Sequence, residues 1–172
     1  MATISESKTN YTVHSQINDG FMDYNNKLSG LILELNTIDG STPLSSKREK
    51  IRGFMRQIGE LYLDFFQENL DISVLCGKKH GEILQRVIED INVIYVGDLE
   101  KLLIGSFEDN EWIRVCVERT NIEAFNAMFN GIVEPLDTEE IEDKMRQCYE
   151  YIPEADVPHG IPREHWWWFT TI

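Results

Sequence analysis

Apolar residues recur along this chain in steps of three and four, the period of an amphipathic helix. Between Tyr11 and Asn36 they fall at Val13, Ile17, Phe21, Tyr24, Leu28, Leu31, Ile32 and Leu35. That spacing predicts a first helix, with Gly20 a natural place for it to break and Asp39-Gly40 a stop signal. Residues 1–10 are polar and read as flexible. Ser46 and Glu49 have capping-box spacing. Behind them Ile51, Phe54, Met55, Ile58, Leu61, Tyr62, Phe65 and Phe66 predict a second helix from about Ser46 to Glu68. Residues 71–77 fit a short strand or a turn equally well.

A third helix is predicted from Gly81 to Tyr95, with Ile83, Leu84, Val87, Ile88, Ile91 and Ile94 on its inner face. Residues 92–96 have strand-like composition, but the flanking period runs through them and favours helix. Gly97 is expected to interrupt this helix, and Asp98 to cap a short one through Leu99, Leu102 and Leu103. Asp109 is the expected cap of a fourth helix. Trp112, Ile113, Cys116, Val117, Ala124, Phe125, Met128 and Phe129 mark its buried side, with a break expected at Thr120-Asn121. Gly131 should end it, and Pro135 should prevent its resumption. Asp137, Glu139 and Glu140 open a fifth helix in the acidic manner a macrodipole favours, with Ile141, Met145, Cys148 and Tyr149 inward. The expectation is one all-α domain over residues 1–172, a bundle of five to seven helices with an ordered Pro/Trp-rich tail.

Composition then narrows the function. The 16 basic and 30 acidic residues leave a net charge of −14. That balance disfavours nucleic acid and anionic membranes as partners and favours cationic ones. Glu134–Asp156 holds nine acidic residues against Lys144 and Arg146, so nine minus two leaves −7, half of the total. On the fifth helix Glu139, Glu142 and Asp143 are spaced to share a face opposite Ile141 and Met145. With Glu140, Glu150, Glu154 and Asp156, and a second group at Glu108, Asp109 and Glu111, they form the candidate partner-binding surface. An ordinary solvated face would also explain them. The basic run Lys47, Arg48, Lys50, Arg52 and Arg56 reads either as a solvated face pairing with acidic neighbours or as a phosphate-binding face, which the overall charge opposes.

Catalytic signatures are missing. His14, His80, His159 and His165 form neither HExxH nor a paired metal motif, and no GxSxG, GxGxxG or GxxxxGK[ST] occurs. Asp90, Asp98 and Glu100 are the kind of accidental group an acidic chain produces. Cys76, Cys116 and Cys148 are too scattered for a disulfide framework and read as reduced, buried thiols. No secretory signal or membrane span is seen, so a cytoplasmic address is expected. These readings imply a protein without cofactor or metal that is not an enzyme.

Trp166, Trp167 and Trp168 stand side by side near the end of the chain. Three indoles at a fraying end would expose a large apolar surface. Consecutive residues cannot all point one way, so His165 and the three tryptophans are read as a tail anchor with at least one indole inward and one available outside. The run Ile161-Pro-Arg-Glu-His-Trp-Trp-Trp168, after a Pro-rich acidic lead, resembles the C-terminal ends of some immunity proteins of bacterial polymorphic toxin systems, such as contact-dependent growth inhibition and type VI secretion. The likeness covers roughly the last twenty residues. It implies a protein that binds the toxin domain of its own system and blocks it. It carries over neither a fold nor contact residues. Charge adds that the toxin is basic, of nuclease type. A helical adaptor or chaperone for a peptide or secreted effector is the alternative, and an enzyme using a core carboxylate or histidine is a third.

Overall fold

The computed structural model describes residues 23–68, 77–105 and 111–170, without the side chains of 65–68. The expected helix start near Tyr11, the loose residues 1–10, His14, the ambiguous stretch 71–76 with Cys76, and the candidate residues Glu108 and Asp109 lie outside these. The inward roles expected of Phe65 and Phe66 also lie outside.

Helix α1 covers 23–35 and buries Leu28, Ile32 and Leu35, spaced at i, i+4 and i+7. The chain turns at Asp39, whose Oδ1 accepts from the Ser41 backbone N–H at 2.8 Å and the Ser41 hydroxyl at 2.6 Å. Helix α2, Leu44–Glu68, buries Ile51, Phe54, Met55, Ile58 and Leu61. It starts just after Pro43, so Ser46 lies within its first turns and does not cap it. Proline lacks the N–H that a helix start leaves unpaired, which suits it to that boundary.

Helix α3, Lys78–Ile91, runs without a break into a π-helical turn, Asn92–Val96, and on into α4, Gly97–Ile104. Gly97 therefore interrupts nothing; its φ of −62° and ψ of −38° are helical. Asp98 caps nothing either, because its carboxylate turns to Arg48 and Arg52 on α2. The wide turn has a packing reason. Ile94, Tyr95 and Val96 are all buried, and three successive residues cannot share one face at 3.6 residues per turn.

Helix α5, Glu111–Met128, is the axis of the bundle and is buried on most sides. Its longest contact is with α2, where Gly59 lets the two backbones approach: a Cβ there would meet Asn121 Oδ1 at 1.8 Å. The break expected at Thr120-Asn121 does not occur. Both side chains are buried but hydrogen-bonded to other elements, so neither competes for the helix backbone. After Phe129 the chain reverses through Gly131 at φ +80°. Asn126 clamps the outgoing segment, accepting the Leu136 N–H at 2.7 Å and donating to its carbonyl at 3.2 Å.

Helix α6, Glu139–Cys148, buries Ile141 and Met145 and begins where Asp137 Oδ1 accepts the Glu139 N–H. Tyr149 was expected inward but lies beyond the helix end and is half exposed. The remaining chain, with short 3-10 turns at Glu154–Asp156 and Trp166–Trp168, folds back over α5. The architecture is thus an all-α bundle of six α-helices among the described residues, with an ordered Trp-bearing final segment. Its buried apolar residues form one core cluster. Among the described residues no helix is long and apolar enough to cross a membrane.

Candidate functional site

Glu118, Arg119, Thr120 and Asn121 form a run of polar residues in α5, and each is buried. A buried polar group without a partner costs about 1–3 kcal/mol, so each must be met by another element. Asn121 Nδ2 donates to the Tyr95 hydroxyl at 3.1 Å. Burial pushes the Tyr95 phenol well above its ordinary pKa, with nearby Glu118 acting in the same direction.

Thr120 is the hub for the final segment. Its hydroxyl accepts the indole N–H of Trp167 at 3.1 Å and of Trp168 at 2.9 Å, and lies 3.4 Å from His165 Nδ1. A hydroxyl has two acceptor positions and one proton. Both acceptor positions are taken by the indoles, so the proton goes to His165, which accepts it on Nδ1 and carries its own proton on Nε2. Burial depresses the His165 pKa, Glu123 works against this, and Arg119 reinforces it. The neutral ring lies parallel to Trp167, with centroids 4.8 Å apart. The end of the segment is tied back as well: the Thr170 hydroxyl donates to the Glu150 carbonyl, and the Cys116 thiol donates to the Trp167 carbonyl at 3.3 Å.

Arg119 carries the second half of the arrangement. Its side chain, 6% exposed, meets Glu142 Oε1 at 2.8 Å and Glu123 Oε2 at 3.0 Å, and its guanidinium sits 4.5 Å from the Trp167 ring centre. Glu142 Oε2 accepts the Trp166 indole N–H at 3.0 Å. Glu142 therefore locks α6 and the final segment to α5. It does not stand with Glu139 and Asp143 on one free face, because a buried guanidinium draws its carboxylate inward.

The other predicted surface residues divide cleanly. Glu139, Glu140, Asp143, Glu150, Glu154 and Asp156 are exposed on α6 and the segment that follows it. Glu140 is partly neutralised by Lys144 at 3.7 Å. Glu111 is half-buried at the start of α5. Tyr149 and Tyr151, 50% and 54% exposed, flank Glu150 in the same stretch of chain. Of the tail-anchor residues, His165, Trp167 and Trp168 are buried and Trp166 is half-buried at the edge.

Most of the basic run on α2 is taken up by internal contacts, while Arg56 is exposed. Lys47 meets Asp90, Arg48 meets Asp98, and Arg52 meets both Asp98 and Glu118. Lys50 donates to Thr37. His80 is held by Ser29 and the Gly77 N–H, while His159 is exposed. Cys116 is buried and Cys148 half-buried, both free, and burial raises both thiol pKa values. Among the described residues no three His, Cys, Asp or Glu side chains are placed together to hold a metal ion.

Sequence reasoning missed Arg119 and Thr120. The available signal was the run of four polar residues, Glu118 to Asn121, between apolar residues of one helix; its Thr120-Asn121 pair was read as a break when Thr120 was the partner of two buried tryptophans. No protein-family model, curated protein or solved structure matches the chain.

Proposed function

We propose that this protein is an immunity protein: it binds a basic toxin domain, of nuclease type, and blocks its active site. The contact surface is the outer face of α6 with the segment that follows it. One observation carries this reading. Two half-exposed tyrosines, Tyr149 and Tyr151, lie in the same stretch of chain, residues 139–156, as six exposed carboxylates. Tyrosine supplies contact area at small conformational cost and is frequent at interface hot spots. The carboxylates would take the place of phosphates in a groove built for a polyanion. The final segment supports the surface from behind, because its indoles fix α6 to α5 through Glu142 and Thr120.

The test is co-production with a toxin domain of the basic, nuclease type, sought in the gene next to the one for this chain. Wild type should restore growth. The triple variant Asp143→Lys, Glu154→Lys, Asp156→Lys should fold normally, bind more weakly and protect poorly, with the deficit growing as salt is lowered. Full protection by that variant would refute the surface. Binding to several unfolded segments, and to no folded toxin domain, would favour an adaptor instead.

A further inference from the structure

We infer that the cavity beside Trp166 is a receptor for one guanidinium group of the basic partner, and that Arg146 occupies it as an internal stand-in. The inference rests on the surface reading above and names its anchor point. The cavity is open, with a volume of about 580 Å³, and lies between α2, α5, α6 and the final segment. Trp166 and Trp167 form its corner, their rings 81° apart with centroids separated by 6.1 Å. Glu123, Glu142 and Glu164 line it with negative charge. Indole faces flanked by carboxylates attract cations, arginine above all, because its flat charge both stacks and pairs.

The protein already satisfies this preference twice, in two different ways. Arg119 on Trp167 is buried and held by two carboxylates, so it belongs to the framework. Arg146 sits 4.7 Å from the Trp166 ring centre, yet its side chain is 63% exposed. Among the described residues its ion pair is a 3.8 Å approach to Glu142 Oε2, an oxygen that also holds the Trp166 N–H. Pairs of that kind contribute little stability. If Arg146 swings out, three carboxylates face a single guanidinium, and the outer face of Trp166 is bare. Tyr149 meets Trp166 edge-on at 6.4 Å, so the cavity is continuous with the tyrosine-bearing surface that would carry the rest of the partner.

The probe is N-acetyl-arginine amide, with N-acetyl-citrulline amide as its uncharged isostere. The reporter is the Trp166 indole N–H in proton–nitrogen correlation spectra, assigned with Trp166→Phe. The arginine amide should shift that signal saturably and the citrulline amide should not. Arg146→Met removes the internal competitor and should tighten binding by about threefold or more, while Glu164→Gln should weaken it. A missing or non-saturable shift would overturn the proposal. So would equal shifts from both amides, or weaker binding by Arg146→Met. The Asp143, Glu154 and Asp156 lysine variant should keep arginine-amide binding within about twofold of wild type, since those charges act from a distance in water. Full toxin protection by that variant, with amide binding retained, would sink the surface reading alone. Loss of amide binding in a protein that still protects would sink the receptor alone.

Discussion

Replacing Thr120 by valine tests the hub directly. Valine matches threonine in shape, so the change opens no cavity and removes only the hydroxyl. Three groups then lose their partner: the indole N–H groups of Trp167 and Trp168, and His165 Nδ1. Both indoles and the imidazole are buried, so water cannot readily replace the lost oxygen. At about 1–3 kcal/mol for each stranded group, the two short indole bonds set a cost of about 2–6 kcal/mol. The long 3.4 Å imidazole contact adds little. The added methyl returns about 0.8 kcal/mol, leaving an expected net loss of about 3 kcal/mol. For a chain of this length that corresponds to a fall in Tm of about 6–12 °C. Urea unfolding followed by circular dichroism measures it, and the Thr120→Ser variant, which keeps the hydroxyl, should lose about 1 kcal/mol for its missing methyl. Limited proteolysis should also cut the valine variant near Pro158 before any cut in the helices. A loss below about 1 kcal/mol for Thr120→Val would refute the hub, because the indoles would then be anchored by packing alone.

Two glycines in α2 should respond in opposite directions: Gly59→Ala forces Asn121 off Tyr95 and should cost about 2 kcal/mol, whereas Gly53→Ala meets nothing within 4 Å and should stabilise by up to about 1 kcal/mol, both read by thermal denaturation. His165 titrates below its ordinary 6.5 in the folded state, so the unfolded chain binds more protons in acid; stability should hold above about pH 6.5 and decline below it, and His165→Gln should flatten that slope in urea titrations at stepped pH. Cys148 should alkylate well before Cys116 in native protein at pH 8, because Cys116 is both more deeply buried and more strongly raised, as peptide mass mapping would show.

Much of the fold was legible because burial writes a period into the chain. Leu28, Ile32 and Leu35, then Ile51, Met55 and Ile58, repeat every three or four residues and belong to helices whatever surrounds them. The same logic required the adjacent tryptophans to divide, with Trp167 and Trp168 inward and Trp166 at the edge. What misled was local chemistry settled at long range. Gly97 and Asp98 have the composition of a helix boundary, but a π turn carries the chain through them, and Arg48 and Arg52 draw the Asp98 carboxylate across to α2. Thr120 and Asn121 look like a break until their partners arrive from 48 and 26 residues away. Glu142 shares spacing with Glu139 and Asp143, yet only the buried Arg119 and the Trp166 indole pull it inward. The order of amino acids by itself determined the helices, the acidic balance and the need for the tryptophans to find cover. Which polar group faces water and which is locked inside was decided only by the assembled bundle, because a hydrogen bond or ion pair depends on what stands opposite, and the chain records that nowhere near the residue concerned.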